Sequence, residues 1–485
     1  MDLYLFAIVV YLGILIAIGV YKSRVVKTQD DFMVAGRKTS ALFLAGTLVC
    51  AWIGSGSLFG GAGLAFRMGF SSLWMSAGAW VGIAIVYFLA HRVRRISQYT
   101  VADILEKRYN SVARVFGSVA VIIAYLTIAG YQFRGGGRLL NILTGIDPLW
   151  GGAITCAVVI LFTVVAGMVS IITVDLFNGI VMTLGVLLAV PLVYSAVGGG
   201  EALASLPADR FTLFGTHDLT WAMGVFFPTF FLLLGESGMY QKFFAARDEA
   251  TARRAVVGMI IGVVIVEALL CSLAVFGSAK YLNLPPFVGS DGSLDRATTE
   301  TIILHLARFD LPTFAGTLLL CAAVAIILST ANSYLMIPST NIARDFYQRF
   351  INPEVSQQGI VLFQRLAIIV LGILAFVLAN FFKTILDMAF TAYTMVGAGI
   401  TPALLAAFLW KRVTVAGGVS SILAGMGTTL AITAANFILP EPLMETDYII
   451  LPAALASIVC LVGVSLLTPP SPEEKWKPFM DTKGM

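Results

Sequence analysis

Only 12% of the 485 residues are charged, and no polar stretch between the apolar ones is long enough for a soluble domain. A soluble globular chain would devote about a quarter of its residues to charge, so that class is excluded. The net charge of +4 is too small and too dispersed to imply nucleic acid as a partner. Cysteine is sparse too: Cys50, Cys156, Cys271, Cys321 and Cys460 lie far apart in apolar surroundings, with no CxxC and only three histidines in the chain. Neither a disulfide framework nor a structural metal site fits that spacing. No pairing of nucleophile and base suggests an enzyme.

What the sequence has in excess is apolar length, with 59% hydrophobic residues and a mean hydropathy of +0.91. A helix needs about 20 apolar residues to cross the hydrocarbon core, and runs of that length repeat along the chain, which predicts an all-α polytopic membrane protein rather than a barrel. The breaks between runs predict about thirteen transmembrane spans, near 3–21, 41–66, 70–91, 113–143, 149–167, 170–197, 219–240, 255–279, 313–343, 360–381, 385–409, 415–438 and 447–467. The first run lacks a basic flank before it and has Lys22, Arg24 and Lys27 after it, so it reads as a retained span rather than a signal peptide. With the N-terminus outside, KSRVVKTQ, HRVRRIS, EKRYNSVAR, QKFFAARDEATARR and WKR fall on one side, as the positive-inside rule asks of cytoplasmic loops. The expected place is therefore the cytoplasmic (inner) membrane, multi-pass, with the C-terminus inside. The tail from Thr468 reads as a short, mostly disordered end.

Two spans are built to break. AWIGSGSLFGGAGLAF, residues 51–66, carries five glycines and two serines, and FFPTFFLLLGESGMY, five spans later, is interrupted by Pro228 and Gly235. Gly56 and Gly60 could instead serve close helix packing as a small-xxx-small pair. Five is odd, so the two blocks that begin with these helices enter the membrane from opposite sides. Inverted repeats with interrupted helices at matching places mark a transporter binding site near the midplane.

Polar groups elsewhere within spans add to this. Ser329, Thr330 and Ser333 lie within about a turn of each other, and their hydroxyls either ligate an alkali cation as hard donors or back-bond within their own helix. Asp175 and Asn178 share one face of a span; an intramembrane carboxylate marks an ion path unless it is an interfacial N-cap. Arg134 lies roughly 9 Å outward of its span centre, and Arg138, one turn on, could snorkel to the interface. Glu267, near the middle of its own span, is a candidate ion-pair partner for Arg134.

DFMVAGRK, GSGSLFGGAGLAFRMGFSSLW, TVDLFN, MYQKFFAARDEATARR, LSTANSYL with ARDFYQRF, and FLWKRVTVAGG occur in order from about residue 31 to 420. Together they resemble the sodium:solute symporter family, which includes bacterial sodium-coupled sialic acid, proline and sugar symporters. The resemblance implies a LeuT-type fold of two inverted five-helix repeats. It divides the chain into residues 1–40 (a first helix and its cytoplasmic loop), 41–197 and 219–410 (the repeats), 411–467 (two accessory helices) and 468–485 (the tail). It further implies a sodium ion held by the carbonyls of Cys50, Ile53 and Ile326 and the hydroxyls of Ser329 and Thr330. A second sodium would take Asp175, Ser329, Asn332 and Ser333, with Asn332 and Asn178 departing from the Ser and Gln usual in the family. The implied substrate set is Trp52, Gly54, Ser57, Gln132, Arg134 and Phe227, in which Arg134 would meet a carboxylate, and Trp52, replacing a small hydroxyl residue, suits a smaller ligand than a sialic acid.

The function expected on these grounds is sodium-driven import of a small organic solute, a carboxylate-bearing anion or amino acid, by alternating access, with sodium, the solute and the bilayer as partners. A proton-coupled transporter of the same fold would use Glu267 or Asp175 as its titrating group. A symporter of sugars or further uncharged solutes, and a transporter-like membrane sensor, would share the same pattern of spans.

Overall fold

A computed structural model describes residues 3–24, 28–96, 98–289 and 292–480. The centre of KSRVVKTQ, Ser97 of HRVRRIS and the last five residues of the tail lie outside these. Among the described residues the chain is helical apart from two isolated bridges, Thr39–Ala246 and Val288–Leu294. The helices that build the bundle and its site include α1 (Leu3–Ser23), α2 (Ala41–Trp52), α3 (Ala62–Met68), α4 (Leu73–Val86), α5 (Ser111–Thr144), α6 (Pro148–Ala196), α7 (Leu219–Gly235), α8 (Ser237–Ala245), α9 (Glu249–Tyr281), α10 (Thr313–Asn341), α11 (Gln357–Ala379), α12 (Ile385–Leu409), α13 (Val415–Ile438) and α14 (Ile450–Leu467).

By length and apolarity, 11 stretches among the described residues can cross a membrane, against about thirteen expected. Both differences come from continuity. Gly56–Val86 runs two expected spans together, and α6 is 49 residues long. A straight helix of that length would reach about 74 Å, more than twice the roughly 30 Å hydrocarbon core. It is instead divided at Gly167, whose φ of 63° and ψ of 173° are not helical. A side chain there would be strained at that φ and would also meet the Phe32 ring at 2.8 Å, so glycine is required.

Polar side chains placed in the connecting loops start the helices. Asn110 accepts from Ala113 N, Asp147 from Leu149 N, Asp218 from Trp221 N and Asp248 from Thr251 N, each satisfying an orphan amide of the first turn. Burial then sorts the helices. α12 is 89% buried over its apolar window and α10, with its continuation, 83%, whereas α1 is 22% buried. The first two therefore form the centre and α1 lies at the periphery.

α2 and α7 both end inside the buried bundle. The terminating residues, Ile53 (φ −73°, ψ 98°) and Glu236 (φ −66°, ψ 102°), adopt nearly the same extended conformation. After Ile53 the chain resumes as a π-helical turn, Gly56–Gly61, leading into α3; after Glu236 it resumes as α8. A freed backbone amide inside the membrane must find another partner. α5 supplies both: Gln132 Oε1 accepts from Ser55 N at 2.9 Å, and Tyr125 Oη accepts from Ser237 N at 2.7 Å. Tyr125 also donates to Glu236 Oε1 at 2.6 Å, and the Glu236 carboxylate caps α8 through Gly238 N and Met239 N.

Charged clusters close the bundle above and below these breaks. Arg138 does not snorkel: it is paired at 2.5 Å with Glu300, which also accepts from Ile385 N and Leu386 N at the start of α12. At the other end Arg114 is shared by Asp103, Glu106 and Asp345. The tail also departs from expectation. Glu473–Met480 is helical, Phe479 is buried against Phe408, and Lys475 Nζ donates to Tyr109 O, because a single aromatic side chain has an apolar recess to fill.

Tyr125→Phe leaves Ser237 N without its acceptor in a buried place. It should cost about 1–3 kcal/mol, read as a lower melting temperature in detergent, while Tyr21→Phe, 67% exposed on α1, should leave the melting temperature unchanged.

Candidate functional site

The break in α2 exposes carbonyls, and α10 presents a hydroxyl to them. Thr330 Oγ1 shares its proton between Cys50 O and Ile53 O, each at 3.1 Å, so three of the five expected sodium ligands converge on one point. Ile326 lies one turn earlier on α10 and is buried. Gly54 is what permits the approach, since a Cβ there would sit 2.8 Å from Thr330 Cγ2 and 2.8 Å from Gln132 Nε2. The Thr330 hydroxyl thus bonds across helices rather than back within its own. Gly56 and Gly60 also serve packing, both lying against α12 at Tyr393 and Leu386, so the same glycines break the helix and let another approach it.

Ser329 faces away from that point. Its hydroxyl donates to Asp175 Oδ1 at 2.5 Å, and Thr47 donates to Asp175 Oδ2 at 2.5 Å. Asp175 is buried within the second half of α6 and is not a helix cap. Of the other residues expected to bind a second sodium with Asp175 and Ser329, Ser333 accepts from Lys242 Nζ at 3.4 Å, and Asn332 has its amide oxygen turned to Thr163 at 3.0 Å. The expected quartet of Asp175, Ser329, Asn332 and Ser333 is thus not gathered around one centre, because Lys242 and Thr163 take two of its oxygens. Asn178 is tied to α1 by Tyr11 Oη at 2.6 Å.

The charge of QKFFAARDEATARR places Lys242 in a cytoplasmic loop. The structure instead buries it at the end of α8, where it also donates to Thr47 O at 2.8 Å. The two phenylalanines that follow it, Phe243 and Phe244, were the available signal that this stretch packs inward.

Beside the first break lies a narrow cavity of about 30 Å³, room for a water molecule or two. Trp52, Ser57, Ser76, Thr229, Glu267 and Tyr393 form its polar wall. Glu267 Oε1 accepts from Trp52 Nε1 at 2.9 Å and lies 3.4 Å from Ser57 Oγ; Oε2 accepts from Trp80 Nε1 at 2.8 Å. Of the expected substrate set, then, Trp52 and Ser57 line the cavity, and Gly54 and Gln132 lie at the break behind it. Gln132 Nε2 and Ser55 Oγ, both buried, have no protein partner among the described residues.

Arg134 and Phe227 stand elsewhere. Arg134 donates to Phe382 O at 2.5 Å and Lys383 O at 2.6 Å, in the turn between α11 and α12, and does not pair with Glu267. A guanidinium this long reaches exposed carbonyls at a helix end more easily than it turns into an apolar bundle. Phe227 stacks among Phe226, Phe230 and Phe231 on α7, toward α14. Trp80, Thr229 and Tyr393 belong to the site but carry no motif; only their burial together shows it.

The fold is shared with solved transporters. A substrate-bound, outward-open Na⁺-coupled sialic acid symporter matches with a TM-score of 0.81 at 17% identity, over 97% of this chain and 99% of that one. MhsT in complex with L-phenylalanine matches with a TM-score of 0.52 at 13% identity, over 89% and 98%. These likenesses establish the LeuT-type fold. By sequence, the high-affinity proline transporter PutP of Bacillus subtilis is 26% identical over 477 residues, 94% of this chain and 96% of the relative. A sodium/proline symporter of Staphylococcus aureus is 25% identical over 495 residues, 95% and 92%. The model of the sodium:solute symporter family matches residues 32–425; with the broken helices, the convergent carbonyls and the Thr330 hydroxyl in place, the chain belongs to that family and is a sodium-coupled solute transporter of the membrane, not an enzyme.

Proposed function

We propose that this symporter imports a small amino-acid-like solute, bound with its ammonium or secondary amine toward Glu267. The observation that carries this reading is a carboxylate on the wall of a mid-membrane cavity whose hydrogen-bond partners are neutral, the indole N–H groups of Trp52 and Trp80 and the Ser57 hydroxyl. A buried charge needs an opposite charge or a dense set of donors, and a cationic group on the solute supplies it. The Tyr393 hydroxyl on the same wall is a donor for the solute's carboxylate. An amino acid carries both groups. That two of the relatives are named for proline is in keeping with a compact zwitterion, for which the cavity, large enough here only for a water molecule or two, has to widen as the helix bundles part. A simple carboxylate anion fits less well, since Arg134 is held by backbone carbonyls outside the cavity wall.

In this reading residues 41–197 and 219–410 are the inverted repeats, the N-terminus is outside and the C-terminus cytoplasmic. Sodium bound by Cys50, Ile53, Ile326 and Thr330 holds α2 against α10 while the outer side is open, and solute binding at the same break allows one bundle to rock against the other.

Two experiments test the parts separately. Thr330→Ala removes a ligand and should raise the sodium concentration for half-maximal uptake at least tenfold, about 1.4 kcal/mol, with Thr330→Ser restoring most of it; an unchanged sodium dependence sinks the site. Glu267→Gln keeps the shape but removes the charge. In a thermal-shift panel of amino acids, their N-acetyl derivatives and simple monocarboxylates, the wild type should respond to the amino acids alone, and Glu267→Gln should weaken that response at least tenfold, again about 1.4 kcal/mol. Preference for the monocarboxylates would reject the substrate reading.

A further inference from the structure

Lys242 is a buried cation with no role in the site described so far. Its ammonium donates to Thr47 O at 2.8 Å and lies 3.4 Å from Ser333 Oγ. Thr47 also donates its hydroxyl to Asp175, and Ser329, one helical turn before Ser333 on α10, donates to the other oxygen of the same carboxylate. Lys242 and Asp175 thus occupy opposite ends of one polar nest, joined through Thr47 on one side and through the Ser329–Ser333 face of α10 on the other. Lys242, Asp175, Ser329, Ser333 and Thr47 are all buried. Lys242 and Asp175 make no direct ion pair among the described residues, and their opposite charges offset each other across the groups between them.

We infer that the Lys242 ammonium is a resident cation in this nest, so that the transporter carries a single sodium ion, at the Thr330 site, and not two. Two independent features lead there. The nest presents a carboxylate, hydroxyls and a carbonyl, which are oxygen ligands suited to an alkali cation, and Lys242 already uses two of them. The fourth side chain that a second sodium would need, Asn332, has its oxygen turned to Thr163 beside the apolar recess under α1. A tethered cation keeps the helices in register without having to be released, so it holds α8 to α2 and α10 through the cycle, while the Thr330 site alone loads and empties.

The inference rests on the sodium-transport reading, and the test separates the two. Binding of radioactive sodium to the purified full-length protein is counted per polypeptide, for wild type, Lys242→Met, and Lys242→Met with Asp175→Asn. The wild type should bind one sodium with a Hill coefficient of about one. Lys242→Met should bind two, because the freed nest and the unbalanced Asp175 then recruit a second ion. The double variant should return to one. Two sodium ions in the wild type overturn the inference and leave sodium coupling intact; no sodium binding overturns the coupling reading itself. A folded Lys242→Met protein that still binds one sodium with unaltered thermal stability also overturns the inference, since the ammonium then fills no cation site. Should Lys242→Met not fold, its recovery by Asp175→Asn supports the pairing, lack of recovery counts against it, and the wild-type count still decides the stoichiometry.

Discussion

A backbone amide freed inside a membrane has no water to turn to, and the architecture of this transporter follows from how that need is met. Breaking α2 at Ile53 and α7 at Glu236 releases amides and carbonyls at bilayer depth, where each unmet group costs several kcal/mol. The chain meets part of that cost with one helix and part with the Glu236 carboxylate, which caps α8. α5 reaches both breaks, with Gln132 at Ser55 N and, two turns away, Tyr125 at Ser237 N. The amides being satisfied in this way, the carbonyls of Cys50 and Ile53 are left to converge with the Thr330 hydroxyl. The proposed ion site is thus a by-product of how the break is mended.

Charge follows the same logic at three depths. Toward one side of the bundle, Arg138 and Glu300 draw α5, α12 and the loop before Ile302–Phe309 together. Toward the other, Arg114 gathers Asp103, Glu106 and Asp345. Between them lie Asp175 with Lys242, and Glu267 with its two tryptophans. The end clusters are paired with opposite charge and so suited to holding packing. Glu267 has neutral donors instead of a cation, and it lines a cavity. The end clusters thus hold helices together through opposite charges, whereas the Glu267 carboxylate faces neutral donors on a cavity wall, which is why the proposed solute site is placed there.

Glycine placement shows how local sequence and packing interlock. Gly54 is small because Thr330 and Gln132 close in on it, and Gly167 because α6 must turn back with a positive φ. The first is legible as part of a glycine-rich break. The second is legible as a boundary, since the expected spans 149–167 and 170–197 part there, although a glycine between two apolar runs looks the same whether the helix bends or ends. Lys242 escapes sequence reasoning for a comparable reason. Loop assignment counts charge along the chain, and a lysine three residues from a helix end looks solvent-facing until other helices are packed over it.

Composition and apolar run length are enough to make the chain a helical membrane protein, since hydrocarbon thickness sets span length without reference to neighbours. The two interrupted segments, being local departures from helix-forming sequence, are likewise enough to say where the binding region falls, and the spacing of Ser329 and Thr330 points to its hydroxyls. Which hydroxyl meets which oxygen is a matter of tertiary packing alone. Ser329 and Thr330 are adjacent in sequence, but about 100° of helical rotation sends one to Asp175 and the other to the break in α2. The fate of Arg134, the cavity wall made by Trp52 and Glu267 with Trp80 behind it, and the meeting of Lys242 with Thr47 and Ser333 are all contacts between residues far apart in the chain. Pairwise contacts of that kind depend on how helices are rotated and crossed, and no periodicity within a single helix encodes the rotation of its partner.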